Sequence, residues 1–157
     1  MIRFLSQHKK KGVVGLAMLV ATPFVAQWEG LETKAYLDIV GVPTICSGST
    51  SGVYLGMTKT KEECQALLSN ELKEYMLFVQ SKVNRELEPE LLASLASFTY
   101  NVGKGAFERS TLLKKLNMGD TVGACHELDK WVYAGGKRVQ GLINRRKAER
   151  ELCLKGA

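Results

Sequence analysis

Three residues near the N-terminal end carry the side chains that acid–base chemistry needs. Glu29 follows a long uncharged segment and Trp28, Asp38 lies nine residues further on, and Thr44 six beyond that. A protonated carboxyl can give its proton to a leaving oxygen while a second carboxylate activates water or attacks carbon, which is how a glycosidic bond is broken without metal or cofactor. The acid must hold its proton near neutral pH, and an apolar setting favours that; Glu29 directly follows one. A helix end facing a hairpin would place Glu29, Asp38 and Thr44 across one cleft.

Other chemistries lack their parts. His8 and His126 are the two histidines. A zinc hydrolase needs several ligands, usually with more than one histidine. A cysteine–histidine pair needs both partners in one site. No G-x-S-x-G elbow and no phosphate-cradling glycine loop occur. No cofactor and no metal are expected.

The elements around these residues follow from the pattern of the chain. Tyr36 to Met57 is rich in Gly, Val, Ile and Thr, with turn signals at Gly41-Val42-Pro43 and Gly48-Ser49-Thr50-Ser51-Gly52, and predicts a short antiparallel meander. Thr60-Lys61-Glu62-Glu63 is a capping box that opens a helix towards Asn84. Leu67, Leu68, Leu72, Tyr75, Met76 and Val79 follow helical spacing within it. Pro89 suits the first turn of another helix, whose inner face is Leu91, Leu92, Leu95, Phe98, Thr99 and Val102, and which Gly103 and Gly105 end. Further helices are expected over 111–117, 121–131 and 140–154, with Gly135-Gly136 as a break. The fold class is α+β: a small antiparallel sheet lobe, a larger helical lobe, and an apolar N-terminal helix.

The chain of 157 residues carries a net charge of +6. Of its 22 basic residues, Arg3, Lys9, Lys10 and Lys11 fall in the first eleven positions with no acid among them, leaving 18 against 16 acidic residues. The body is therefore nearly balanced, and nucleic acid is not an expected partner. Arg145, Arg146, Lys147 and Arg150, interleaved with Glu149 and Glu151, read as a solvated helix face of paired charges.

Gly12 to Trp28 holds no charge, and Lys9-Lys10-Lys11 precede it. This is the layout of a Sec-targeting segment whose basic end stays in the cytoplasm. Its length is marginal for a transmembrane helix, and Gly12, Gly15, Ala17, Ala21, Thr22, Pro23, Ala26 and Gln27 make it weakly apolar. Phe24 spoils the best cleavage pattern, Phe24-Val25-Ala26. We read an uncleaved export signal, with a cleaved signal peptide and a buried core helix as the alternatives. Residues 1–28 then form a membrane segment and 29–157 a catalytic domain. Cys46, Cys64, Cys125 and Cys153 are an even set, as an exported protein with disulfides would have. Three connectivities are possible, and we favour 46 with 64 and 125 with 153, because each pair then joins neighbouring elements; four buried free thiols in a cytosolic protein are the alternative.

Three ordered blocks carry a family resemblance. Glu29-Gly30-x5-Tyr36-x-Asp38-x2-Gly41-x-Pro43-Thr44-Ile45 resembles the active-site signature of phage-type lysozymes, glycoside hydrolase family 24. Phe98-Thr99-Tyr100-Asn101-Val102-Gly103-Lys104-Gly105-Ala106-Phe107 with Ser110-Thr111-Leu112 is similar to that family's central helix and turn, and Gly141-Leu142-Ile143-Asn144-Arg145-Arg146-x2-Glu149 to its C-terminal motif. The likeness is greatest to lambdoid-phage endolysins with a signal-anchor-release segment. The resemblance implies a lysozyme-like fold and a muramidase that cleaves peptidoglycan with inversion at the anomeric carbon. It implies Glu29 as general acid, Asp38 as the group that positions and activates water, Thr44 as the holder of that water, Asn101 facing the cleft, and Arg145 supporting Glu29. Peptidoglycan, the host Sec translocon and the host inner membrane are the implied partners, with the protein exported to the periplasmic side of that membrane, then released, and acting as a monomer. The rival readings are a lytic transglycosylase, told apart by its anhydro-sugar product, and a non-catalytic wall-binding protein, which would tolerate Glu29→Gln. In one loop the chain departs from the family: Thr-Ile-Gly-x-Gly-His-Thr is common there, and this chain has Thr44-Ile45-Cys46-Ser47-Gly48-Ser49-Thr50.

Overall fold

A computed structural model of the chain describes residues 2–157, with side chains from Gly12 onward. The side chains of Arg3, His8, Lys9, Lys10 and Lys11, which form the basic flank, lie outside the described residues. Helices and two short hairpins follow one another: α1 (Ile2–Ala26), β1 (Glu32–Leu37), β2 (Pro43–Cys46), α2 (Lys61–Lys82), α3 (Pro89–Val102), α4 (Lys104–Glu108), α5 (Thr111–Asn117), α6 (Thr121–Glu127), a 3-10 turn (Leu128–Lys130), β3 (Tyr133–Ala134), β4 (Lys137–Arg138) and α7 (Gln140–Lys155). The architecture is α+β, as expected. Two compact units divide the chain, one of Thr22–Glu71 and the other of the residues up to Ala21 with Leu72–Ala157.

In the smaller unit β1 and β2 pair antiparallel, with Glu32 opposite Cys46, Tyr36 opposite Thr44 and Leu37 opposite Pro43. The sheet starts four residues before the expected meander and ends at Cys46; the stretch to Met57 is turns, tied by bridges between Lys34 and Thr58 and between Ile45 and Ser49. Glycines with positive φ at 48, 52 and 56 coil this stretch instead of extending it. Ile45, Cys46 and Cys64 form the buried centre, packed by Ala35, Val53, Met57 and Leu67. The expected capping box is formed at the start of α2: the Glu63 amide donates to Thr60 Oγ1 at 3.1 Å and the Thr60 amide to Glu63 Oε2 at 2.7 Å.

Cys46 and Cys64 are joined by a disulfide. Cys46 stands where the family commonly has glycine, and its backbone is left-handed at φ 60°. A residue with a Cβ costs roughly 1–2 kcal/mol in that conformation. Closing a loop of 18 residues is worth about 3 kcal/mol in the chain-entropy model, enough to offset it.

In the larger unit α3 is the central helix, with Leu91 to Thr99 all buried. Pro89 begins it and Gly103, at φ 94°, ends it. α7 packs along α3. Gly156 lies so near the start of α3 that a Cβ there would be 2.5 Å from the Leu91 amide nitrogen. Ser110 caps α5 and Asp120 caps α6. The helix expected over 121–131 stops at Glu127 and tightens into the 3-10 turn. Gly135 and Gly136, both with positive φ, make the two-residue turn of the β3–β4 hairpin. A second disulfide joins Cys125 to Cys153, so both bridges follow the pairing favoured above. Val14, Ala17 and Ala21 of α1 are buried, a helical stripe of small and medium apolar side chains. Among the described residues no helix is long and apolar enough to cross a membrane.

Candidate active site

The smaller unit holds Glu29, Asp38 and Thr44. Glu29 closes the last turn of α1, where its amide donates to the Val25 carbonyl at 3.1 Å. The partly buried side chain opens on a cleft of about 500 Å³ that Glu32, Tyr36, Ser47 and Gly48 also line.

Asp38 heads the turn between the two strands. Its Oδ1 accepts the amides of Val40 at 2.9 Å and Val42 at 2.8 Å. Both bonds use one oxygen; among the described residues no protein donor reaches Oδ2. This is the local turn that Asp side chains favour, and it holds the carboxylate in one orientation. Thr44, 4% exposed on β2, donates its hydroxyl hydrogen to the Val42 carbonyl at 2.9 Å. With its hydrogen so used, Oγ1 can only accept from any further partner. The structure therefore brings Asp38 and Thr44 together through Val42, and pairs Thr44 across the sheet with Tyr36, a wall of the Glu29 cleft.

Ser49, in place of the family's frequent histidine, is buried and donates to Glu71 Oε1 at 2.6 Å. A short hydroxyl–carboxylate bond thus ties the loop after β2 to α2.

Asn101 and Arg145 belong to the larger unit. Arg145, 4% exposed, donates its Nε to Glu149 Oε1 at 3.1 Å, and its Nη2 reaches the Ser97 carbonyl at 3.3 Å. Asn101 Oδ1 accepts from Arg146 Nη2 at 2.8 Å. The charge run around these residues is not a solvated face: Arg146 and Glu149 are fully buried, with Arg146 Nε 2.8 Å from Glu149 Oε2. The i,i+3 and i,i+4 pairing is as expected, but α3 covers it, because Ser94 and Ser97 are small enough to let α7 approach and polar enough to bond it. Ser94 donates to the Glu149 carbonyl and Ser97 to Glu149 Oε1, both at 2.7 Å. Burial pushes the Glu149 carboxyl above its ordinary range, opposed by the guanidiniums of Arg146 and Arg145 and by the Ser97 hydroxyl. Of the charged residues in the run, Lys147 and Glu151 are exposed, and Arg150 pairs with Asp129 at 2.5 Å.

Asn101 also lines a second cleft, of about 360 Å³, with Trp131, Tyr133, Leu142, Lys130 and Arg146. Sequence reasoning missed Lys130, Trp131 and Tyr133. The Gly135-Gly136 pair, a two-residue hairpin signal, marked the turn that follows Tyr133.

A helix-end carboxyl beside a hairpin that carries a carboxylate and a hydroxyl, with a helical unit centred on one buried helix, defines a lysozyme-like protein. The comparisons agree. Residues 26–149 match the phage lysozyme family model, and the chain belongs to that family. It is 46% identical over 129 residues to the SAR-endolysin of Enterobacteria phage PA-2, covering 82% of this chain and 78% of that one. Among solved structures it is similar to a P22 lysozyme mutant, with TM-score 0.78, 34% identity and coverage of 85% and 94% of the two chains. It is also similar to the muramidase domain of SpmX from Asticaccaulis excentricus, with TM-score 0.80, 29% identity and coverage of 86% and 95%.

Proposed function

We propose that this protein is an endolysin that hydrolyses the β-1,4 bond between N-acetylmuramic acid and N-acetylglucosamine in peptidoglycan, with inversion, to lyse the host and release phage. Glu29 donates a proton to the leaving glycosidic oxygen. A water held on the opposite face gives one hydrogen to Thr44 Oγ1 as a hydrogen bond and the other to Asp38 Oδ2, which takes that proton as the water attacks the anomeric carbon. The observation that carries this reading is the Asp38–Val42–Thr44 arrangement, in which one residue fixes both side chains and leaves Asp38 Oδ2 and an accepting Thr44 Oγ1 uncommitted. Membership of the phage lysozyme family and the names of the relatives support it.

Residues 1–28 are proposed to be a signal-anchor that carries the chain through the Sec translocon and holds it in the inner membrane facing the periplasm. Glu29 is only one residue beyond this segment, so embedding the segment keeps Glu29 at the bilayer surface and the enzyme inactive. On release, α1 buries Val14, Ala17 and Ala21 in the protein.

The test is product analysis on purified peptidoglycan. Wild type should release reducing N-acetylmuramic acid ends, and Glu29→Gln should fold normally with under about 1% of that activity. Anhydro ends would show a transglycosylase, and a fully active Glu29→Gln would remove the acid assignment.

A further inference from the structure

Asn101 stands at the end of α3, exposed to the second cleft, and its side chain is not free to turn. Its Oδ1 accepts from Arg146 Nη2 at 2.8 Å. A guanidinium has donors and no acceptor, so a flipped amide would set N–H against N–H. The Asn101 oxygen is thereby held inward and its NH2 group outward.

Arg146 is itself immobilised. It is fully buried, stacked 5.1 Å above the Phe98 ring, and joined to both oxygens of Glu149, at 2.8 Å for Nε to Oε2 and 3.3 Å for Nη2 to Oε1. Glu149 is fixed in turn by Ser97 and Ser94 on α3. A chain of bonds thus runs from the middle of α3 through α7 and back to the last turn of α3. Breaking a buried charge pair is strongly destabilising and keeping one is seldom needed for stability alone, so an ion pair that ends on an exposed amide calls for another role.

We propose that Glu149 and Arg146 are positioning residues that lock the Asn101 amide as a donor-only reader of a neutral acceptor oxygen, the carbonyl of an N-acetyl group or of a peptide unit. The other walls suit such a group. Trp131, braced edge-on against Phe98 at 5.2 Å, and exposed Tyr133 offer flat apolar surfaces to a sugar ring or an amide plane. The inference rests on peptidoglycan as the substrate, which carries both kinds of carbonyl.

The experiment measures binding of two soluble probes to full-length protein carrying Glu29→Gln: chitotetraose, which has N-acetyl groups and no peptide, and a disaccharide with its stem peptide. Asn101→Asp keeps an oxygen for Arg146 but turns a second oxygen outward in place of the NH2 group. Affinity should fall about tenfold or more while the melting temperature is unchanged or raised. A loss seen with chitotetraose assigns the acceptor to the N-acetyl carbonyl, and a loss confined to the second probe assigns it to the peptide. Arg146→Gln breaks the buried pair with Glu149 and lowers the melting temperature; assayed well below that temperature, where it is folded, it leaves the Asn101 amide able to turn either edge inward and should bind about threefold more weakly. The proposal is overturned if Asn101→Asp binds both probes within twofold of its parent, as an anchor for Arg146 alone would, or if the parent binds neither. A wild type that fails to hydrolyse peptidoglycan would remove the enzymatic reading and leave these binding results standing.

Discussion

Asp38 and Thr44 hold opposite ends of the same residue: the Val42 amide donates to Asp38 Oδ1 at 2.8 Å, and the Val42 carbonyl accepts from Thr44 Oγ1 at 2.9 Å. One peptide segment therefore sets the spacing of a carboxylate and a hydroxyl. Asp38→Asn retains an oxygen for the Val40 and Val42 amides, so the turn should survive, but an amide cannot take the proton of water. Circular dichroism should be unchanged and hydrolysis should fall by about 10²–10⁴. Activity within tenfold of wild type would exclude Asp38 as base.

Ser49→Ala removes the hydrogen bond to Glu71 and leaves a small buried space. Bonds to charged groups contribute about 1.5–3 kcal/mol, and Glu71 is only partly buried. The denaturation midpoint should correspond to a loss of about 1–2 kcal/mol, with the chemical step intact. No change in stability would mean that the Ser49–Glu71 bond adds nothing to the backbone bridge and the Cys46–Cys64 disulfide that also hold this loop.

The left-handed backbone at Cys46 makes the two ways of removing its disulfide unequal. Cys46→Ala with Cys64→Ala loses the bridge and keeps the strain. Cys46→Gly with Cys64→Ala loses the bridge and relieves it. The glycine version should be the more stable of the two by about 1 kcal/mol in urea titrations. At an ordinary backbone conformation glycine would be the less stable one.

Glu127, 5% exposed, accepts from Lys115 at 2.6 Å and lies 2.8 Å from Lys130. The hydrogen bonds from Lys115 and Lys130 hold its carboxyl below its ordinary value of 4.5. A lowered pKa on an acid means that the unfolded chain binds the proton first. The stabilisation is therefore full above pH 4.5 and is lost as pH falls through the folded value. Melting temperatures measured from pH 7 downward should drop less steeply for Glu127→Gln than for wild type. Parallel curves would show that the pair contributes no pH dependence.

Reversible anchoring can be tested without disturbing the folded protein. Ala17 and Ala21 are fully buried, so leucine there would overpack as well as favour insertion. Gly12 and Gly15 are exposed, with nothing within 4 Å of an added Cβ. Gly12→Leu with Gly15→Leu should raise membrane retention and delay lysis, with the activity of purified protein unchanged. Wild type found only as a shortened chain beginning near Gln27 would show a cleaved signal and no release.

What the sequence determined by itself was local. Thr60 and Glu63 specify a helix start because the capping box is closed by residues three apart. Pro89 and Gly103 bound α3 because one lacks an amide hydrogen and the other adopts a positive φ. The order of Glu29, Asp38 and Thr44, together with two later blocks, pointed to the family. Tertiary structure decided what neighbours distant in sequence would do to a given side chain. Arg145, Arg146 and Glu149 have the spacing of an exposed ion-pair ladder, and that spacing is identical in a buried one. They are buried because α3 presents Ser94 and Ser97 some fifty residues away, at just the points where α7 needs room and hydrogen-bond partners. Ser49 likewise acquires its partner from Glu71, 22 residues on, a distance at which residue type carries no signal and only the path of the chain brings the two together.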